Sequence, residues 1–226
     1  MDRKKDILEI GDLFAFYVDE PEVYEILSQS EDIDNRILKT ILSDIPFKDS
    51  IVLDLGAGTG RFSIPLSLKS KLVCSLDRSK RALHILKQKS GSKEINILVG
   101  TFSNIPFPNE VFDIVIAAWA FDPSLPNGES NFAEMLRVIR KGGKIVVVGN
   151  YPGGEYFSIR RKFLGDSGEH EKRVDEWFTS RKFKRKVMDV RVDLRSKSNI
   201  NRVLSGQPPL EMIKRYLAER NRTWST

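Results

Sequence analysis

Five short apolar runs divide the first two thirds of the chain at fairly regular intervals. They cover residues 51–55, 72–76, 95–99, 112–118 and 144–149. Each has the length of a β-strand and is rich in Val, Ile and Leu, which is typical of strands buried on both faces of a parallel sheet. Segments with apolar residues at helical spacing lie between them, so the pattern predicts an α/β domain.

Apolar residues three or four positions apart predict the helices. One helix is expected at 22–28, and a second where apolar residues recur between Ile33 and Ile45. Ser79 can cap a helix whose apolar face includes Leu83 and Leu86. Further helices are expected near 132–139 and 174–182, and a late strand over 186–194.

Glycine residues follow the first apolar run at alternate positions, 56, 58 and 60. A dinucleotide-binding loop has the spacing G-x-G-x-x-G, but here Arg61 stands where the third glycine would be. Asp54 precedes the loop, and a carboxylate is a poor neighbour for a pyrophosphate but suits a ligand that carries an ammonium group. A glycine-rich turn without a ligand is the alternative interpretation.

The sequence D-x-G-x-G-x-G after a hydrophobic strand resembles the first motif of the class I S-adenosylmethionine-dependent methyltransferases. Two later segments also resemble that family: Ile105-Pro-Phe, and the helix, Gly-Gly and strand of residues 135–148. The resemblance covers residues 50–150 well and the remainder loosely. It implies a Rossmann-like, doubly wound, mostly parallel sheet of six or seven strands, with flanking helices and an N-terminal helical cover.

The family's first motif and its strand ends supply the cofactor site, so the resemblance implies which residues bind S-adenosyl-L-methionine here. Asp77, at the end of the second strand, matches the acid that binds the ribose hydroxyls. Arg78 would lie over the adenine, and Thr101 replaces an acidic residue that accepts from the adenine amino group. The implied cofactor-binding residues are Asp54, Gly56, Ala57, Gly58, Thr59, Gly60, Asp77, Arg78, Thr101, Phe102 and Ala117.

Three aromatic residues are candidates for the acceptor side of the site. Trp119 follows the fourth strand, Tyr151 follows the fifth, and Tyr17 lies in the expected cover. Packing in the core is the alternative role for Trp119 and for Tyr17. No catalytic residue is assigned, and a chain with one Cys and two His carries no structural zinc cluster.

The charge of the chain is uneven. Residues 1–150 carry 19 basic and 21 acidic side chains, whereas residues 151–226 carry 18 and 10. Basic clusters lie at 160–162 and 181–186. An excess of positive charge can attract RNA or another anionic partner, or it can be an ordinary solvated surface.

These observations favour a single methyltransferase domain over 1–226, with a cover at 1–48, a cofactor-binding core at 49–150, and a basic lid and sheet-closing region at 151–226. The favoured function is methyl transfer to a small molecule. An RNA or protein methyltransferase is the alternative, and a non-catalytic cofactor-binding or nucleic-acid-binding protein is the third hypothesis. No apolar run is long enough to span a membrane and no signal peptide is recognised, so a cytoplasmic protein is expected.

Overall fold

A single parallel sheet of five strands forms the centre of the fold. A computed structural model describes residues 21–30, 32–154, 158, 161 and 167–191. Within these residues the strands lie in the order β3-β2-β1-β4-β5, and every neighbouring pair is parallel. The strands are β1 (Ile51–Leu55), β2 (Leu72–Asp77), β3 (Ile95–Val99), β4 (Phe112–Ala118) and β5 (Ile139–Val148).

Helices cover both faces of this sheet. They are α1 (Pro21–Ser30), α2 (Arg36–Asp44), α3 (Ser63–Leu66), α4 (Lys80–Ser90), α5 (Gly128–Val138) and α6 (Glu169–Ser180). The predicted cap of α4 is confirmed, because the Ser79 hydroxyl accepts from the backbone N–H of Ala82 at 3.2 Å. The Rossmann-like arrangement expected from the strand pattern is thus confirmed, with five strands in the described part of the chain rather than six or seven.

Successive residues of each strand alternate between two apolar layers, as the pleat of a strand requires. Val52 of β1 packs in one layer with Ile41 of α2 and Leu86 of α4. Leu53 packs in the other layer with Met135 and Val138 of α5. Burial on both faces explains why the central strands β1, β2 and β4 read as continuous apolar runs rather than alternating ones.

The turn that leads into β4 is fastened to α5 by two charged side chains. Glu134 accepts from the backbone N–H of Ile105 at 2.9 Å, and Arg137 donates to the carbonyl oxygens of Ile105 and Phe107 at 2.9 and 2.7 Å. The Arg137 guanidinium beside it lowers the pKa of Glu134 to about 2. The Ile105-Pro-Phe motif of the sequence therefore has a fixed position along this edge of the sheet.

The late strand predicted over 186–194 is wrong for its described part, residues 186–191, which have no regular structure. This segment lies along α2 instead, where Lys186 pairs with Asp44 at 2.8 Å and Arg191 donates to Asp34 at 2.6 Å. The backbone N–H of Ile33 also donates to the Arg191 carbonyl at 3.1 Å. Charged side chains that pair with acidic residues at the two ends of α2 gain nothing from entering a buried sheet. Residues 192–226, the rest of the predicted sheet-closing region, lie outside the described residues.

The strand order places a topological switch point between β1 and β4. The chain moves from β1 outward to β3 and then crosses to β4 on the other side of β1. In open α/β sheets, ligands bind at the carboxyl ends of the strands at such a point. The loops after Leu55 and Ala118 are therefore the place to look for a site.

Gly60 offers a test of the packing beside that loop. Its φ is +89°, and a Cβ built on it would lie 2.3 Å from Cδ1 of Leu86. Gly60→Ala should lower the free energy of unfolding by about 2–4 kcal/mol, from the left-handed backbone and the overpacked contact together. Urea unfolding measures the change.

Gly142→Ala is the matched control for that substitution. Gly142 has a φ of +79°, but a Cβ there would meet no atom within 4 Å. Only the backbone cost of about 1–2 kcal/mol should remain. Equal losses in the two variants would contradict the packing role of Gly60.

Candidate functional site

The glycine loop after β1 is held against the end of β2 by backbone hydrogen bonds. The N–H groups of Gly56 and Ala57 both donate to the carbonyl of Leu76, at 2.8 and 3.2 Å. The N–H of Gly58 donates to Oδ2 of Asp77 at 2.9 Å. The loop and the predicted ribose-binding carboxylate therefore form one unit.

Asp77 also organises the start of α4. Its Oδ1 accepts from the backbone N–H of Ser79 at 2.8 Å, and its side chain is buried. A carboxylate offers about four acceptor positions, so bonds from two backbone N–H groups are compatible with further donors such as ribose hydroxyls.

The loop after β4 approaches the glycine loop very closely. A Cβ built on Gly56 would lie 2.2 Å from Cβ of Ala120 and 3.7 Å from the ring of Phe102. Gly56 has a φ of +70°, so a larger residue is excluded by both backbone and space. The structure thus brings together the glycine loop, Phe102 and the segment that begins at Trp119.

Trp119 lies at the carboxyl end of β4 with a backbone φ of +51°, which is rare for a bulky residue. Its N–H donates to the Val148 carbonyl at 2.8 Å, and its indole Nε1–H donates to Asn150 Oδ1 at 3.1 Å. The guanidinium of Arg61 lies 4.9 Å from the indole ring, within cation–π distance. Residues with a strained backbone are found most often at functional sites. In this protein, contacts on several sides hold Trp119 in that conformation.

Asp54 is not at the surface of this loop. Its side chain is inside the core, where Oδ2 accepts from the Ser63 hydroxyl at 2.5 Å, and Ser75 donates to Ser63 at 2.8 Å. Burial raises the pKa of Asp54 to about 7, against the effect of the Ser63 hydrogen bond and with a further contribution from the charge of Asp77. In this structure its carboxyl group joins β1 to the start of α3 through the hydrogen bond from Ser63.

Helix α1 lies against the outer side of the glycine loop. Lys89 of α4 donates to the carbonyl of Thr59 at 3.1 Å and pairs with Glu25 of α1. Arg81 of α4 pairs at 2.9 Å with Glu22, which lies one turn before Glu25 on α1. Helix α1, which lies in the segment predicted as the cover, is therefore fastened to α4, and Lys89 joins it to the loop.

The other predicted residues take different positions. Arg78 and Thr101 are exposed, and the Thr101 hydroxyl lies 3.1 Å from that of Ser103. Ala117 is buried in the sheet, paired with Val147 of β5. Tyr151 is exposed on the surface with the Arg185 guanidinium 5.9 Å from its ring. Tyr17 lies outside the described residues.

The sequence interpretation missed a polar cluster that follows Trp119. Asp122 and Ser124 lie in the loop after β4, and His170 lies in the first turn of α6. His170 Nε2 is 3.0 Å from Asp122 Oδ2, and its Nδ1 is 3.2 Å from the Ser124 hydroxyl. The only sequence signal was the rarity of histidine, because no motif links two segments that lie 46 residues apart.

The central part of the chain is similar in sequence to known proteins. Residues 53–147 match the family model described as a methyltransferase domain. The chloroplastic 2-methyl-6-phytyl-1,4-hydroquinone methyltransferase of Arabidopsis thaliana is 32% identical over 147 residues, which cover 63% of this chain and 42% of that protein. The demethylmenaquinone methyltransferase of Thermobifida fusca is 25% identical over 138 residues, which cover 55% and 58%.

A solved structure shares the fold as well. The crystal structure of an S-adenosylmethionine-dependent methyltransferase from Aquifex aeolicus matches with a TM-score of 0.57 and 18% identity, over 76% of this chain and 93% of that one. Residues 53–147 therefore resemble a methyltransferase domain in sequence, and the fold agrees with that resemblance. The matched part of the chain spans about half the length of the two curated relatives.

The glycine loop after β1, at the switch point with β4, fits S-adenosylmethionine. The glycine at 56 leaves no side chain where the loop meets Ala120, and Asp77 accepts backbone N–H groups beside it. No helix in the described residues is both long and apolar enough to cross a bilayer.

The buried carboxyl group of Asp54 gives a pH prediction. Folded Asp54 keeps its proton up to about pH 7, whereas in the unfolded chain an Asp ionises near pH 4. The stability it contributes is therefore complete below about pH 4 and is lost as the pH rises to about 7. In Asp54→Asn, which keeps an oxygen for Ser63, the free energy of unfolding should decline less over that range than in the wild type.

Urea unfolding of both proteins at several pH values measures the difference. All other titrating groups are common to the two proteins, so the difference isolates Asp54. Parallel declines in the two proteins would show that this carboxyl is ionised in the folded state.

Proposed function

We propose that the protein is an S-adenosylmethionine-dependent methyltransferase that acts on a small molecule with a hydroquinone-type ring. One observation supports the cofactor above all: the glycine loop is bonded to Asp77 at the switch point of the sheet. The names of the Arabidopsis and Thermobifida relatives support the acceptor class, since both contain a quinone or hydroquinone.

The loop and the ends of β2 and β3 would hold the cofactor. The backbone of residues 56–60 would face its amino acid part, and Asp77 would accept from the ribose hydroxyls. Arg78, Thr101 and Phe102 would border the adenine, Arg78 by stacking its planar guanidinium. When bound, the cofactor supplies an electrophilic methyl group on a sulfonium.

Trp119 would form the wall of the site on the acceptor side. It stands next to Ala120, which lies against Gly56 of the glycine loop; Arg61 lies over its indole ring and Asn150 accepts from the indole N–H. A flat aromatic ring with a hydroxyl group suits such a wall, because it can stack on the indole. The main task of the residues that line the site would be to hold the acceptor and the methyl group in line. Such positioning can lower the activation barrier by roughly 7–11 kcal/mol.

The charges of the C-terminal part support a small acceptor over RNA. Arg181 pairs with Glu129 at 2.7 Å, Arg185 pairs with Asp175, and Lys186 pairs with Asp44. These three basic side chains each pair with an acidic residue on a different element, which favours scattered surface charge over one continuous groove. A cytoplasmic location remains a prediction from the sequence.

Calorimetry tests the cofactor. S-adenosylmethionine or S-adenosylhomocysteine should bind to the wild type, and Asp77→Ala should weaken that binding, because the variant loses the acceptor for the ribose and the anchor of Gly58. Tight binding of NADH, with none of either sulfur nucleoside, would rule out the methyltransferase proposal.

A titration with mixed cellular RNA tests the alternative. Phosphate contacts release counterions, so any weak binding should vanish between low and moderate salt. Submicromolar binding at moderate salt, abolished by Lys184→Glu with Lys186→Glu, would instead favour an RNA methyltransferase.

A further inference from the structure

The loop after β4 and the first turn of α6 form a closed polar cluster beside the candidate site. Asp122 Oδ1 accepts from both the backbone N–H and the hydroxyl of Ser124, at 2.9 and 2.8 Å. Its other oxygen faces His170 Nε2 at 3.0 Å. The Ser124 hydroxyl also lies 3.2 Å from His170 Nδ1.

We propose that Ser124 and His170, oriented by Asp122, are the proton relay that deprotonates the hydroxyl group of the acceptor. This inference rests on the proposed function, since only an acceptor with an acidic hydroxyl needs such a base. The relay accounts for the ionisation of the acceptor, a step for which the sequence motifs supply no residue.

The hydrogen bonds decide which nitrogen can act as the base. Asp122 can only accept when ionised, so Nε2 of a neutral His170 carries the hydrogen and donates to it. Nδ1 is then the nitrogen with the lone pair, and it faces Ser124. The Asp122 carboxylate therefore fixes the tautomer of His170 and keeps Nδ1 turned toward Ser124.

Ser124 has one hydroxyl hydrogen and two acceptors within reach, Asp122 Oδ1 and His170 Nδ1. When an acceptor hydroxyl donates to the Ser124 oxygen, the hydrogen of Ser124 turns to Nδ1. One proton then passes from the acceptor to Ser124 and another from Ser124 to His170. The electron pair of the broken O–H bond stays on the acceptor, which becomes the nucleophile.

The cluster has the right place and access for this step. Asp122 is two residues after Ala120, which touches the glycine loop, so the chain can separate them by at most about 7 Å. The side chains of His170 and Asp122 keep 32% and 25% of their surface exposed. A ligand at the edge beyond Trp119 can therefore reach the cluster without unfolding any part of it.

A purely structural role is the competing explanation, because His170 also connects α6 to the loop. Helix α6 is already docked by aromatic contacts, among them Trp177 with Phe132 at 4.9 Å and with Phe121 at 5.7 Å. The Trp177 indole also donates to Glu129 at 2.6 Å. The position of α6 therefore does not depend on the hydrogen bonds of His170.

The test compares two acceptors that differ in acidity. The probes are 1,4-naphthohydroquinone, a weak acid, and nitrohydroquinone, which has a hydroxyl already ionised at mildly alkaline pH. Methyl incorporation from labelled S-adenosylmethionine is measured for the wild type, His170→Asn and Ser124→Ala. His84→Gln is the matched control, because His84 lies exposed on α4 with Gln88 as its partner.

A base and a structural residue predict different patterns. His170→Asn should slow methylation of naphthohydroquinone by about 100-fold or more, the size of a lost general base, yet stay within about fivefold of the wild type for nitrohydroquinone. Ser124→Ala should show the same selectivity, and His84→Gln should match the wild type for both probes. Losses of equal size for the two probes, or no loss, would overturn the relay and leave the methyltransferase proposal intact.

A second readout does not depend on turnover. Nitrohydroquinone absorbs visible light when ionised, so its ionised fraction can be measured while it is bound with S-adenosylhomocysteine at a pH below its own pKa. That fraction should be larger in the wild type than in His170→Asn, and equal fractions would overturn the relay. If the wild type binds S-adenosylmethionine but methylates neither probe, the proposed acceptor class is wrong and the relay falls with it.

Discussion

The hydrogen bonds that hold the glycine loop to β2 are the constraint on which the candidate site depends. Leu55 and Leu76 are register partners in neighbouring parallel strands, so β1 and β2 reach their carboxyl ends at the same level. The Leu76 carbonyl can then accept from two successive N–H groups of the loop, and Asp77 can accept from Gly58. A shift of register by one residue would turn Asp77 to the opposite face of the sheet and separate it from the loop.

The same constraint explains why the neighbouring elements carry unusual residues. The loop is turned toward β4, so Ala120 and Phe102 come close to Gly56, where a side chain has no room. Trp119 must leave the strand sharply and does so with a left-handed backbone. The elements that carry the site therefore contact one another directly, and each limits the conformations open to the next.

Much of the fold could be predicted from the sequence because it is encoded locally. Each of the five strands contains a contiguous apolar run, and the glycine loop and Asp77 stand directly after the first two of these runs. Asp54 shows the limit, because its side chain is buried against Ser63, which only the packing of α3 on β1 brings beside it. The segment 186–191 shows another, because its valines suggested a strand but its charges pair with Asp34 and Asp44, which sequence spacing cannot reveal.

The contact between that segment and α2 has a consequence for how the chain folds. The residues that it joins, such as Asp34 and Arg191, are 157 positions apart. Closing a flexible loop of that size costs about 4 kcal/mol, whereas exposed ion pairs are typically worth less than about 1 kcal/mol each. The contact can form only once the sheet has brought its two sides together, so it belongs to the last stage of folding. By the same reasoning it opens before the sheet does, so the amide hydrogen that it protects, that of Ile33, exchanges with water sooner than those of the sheet.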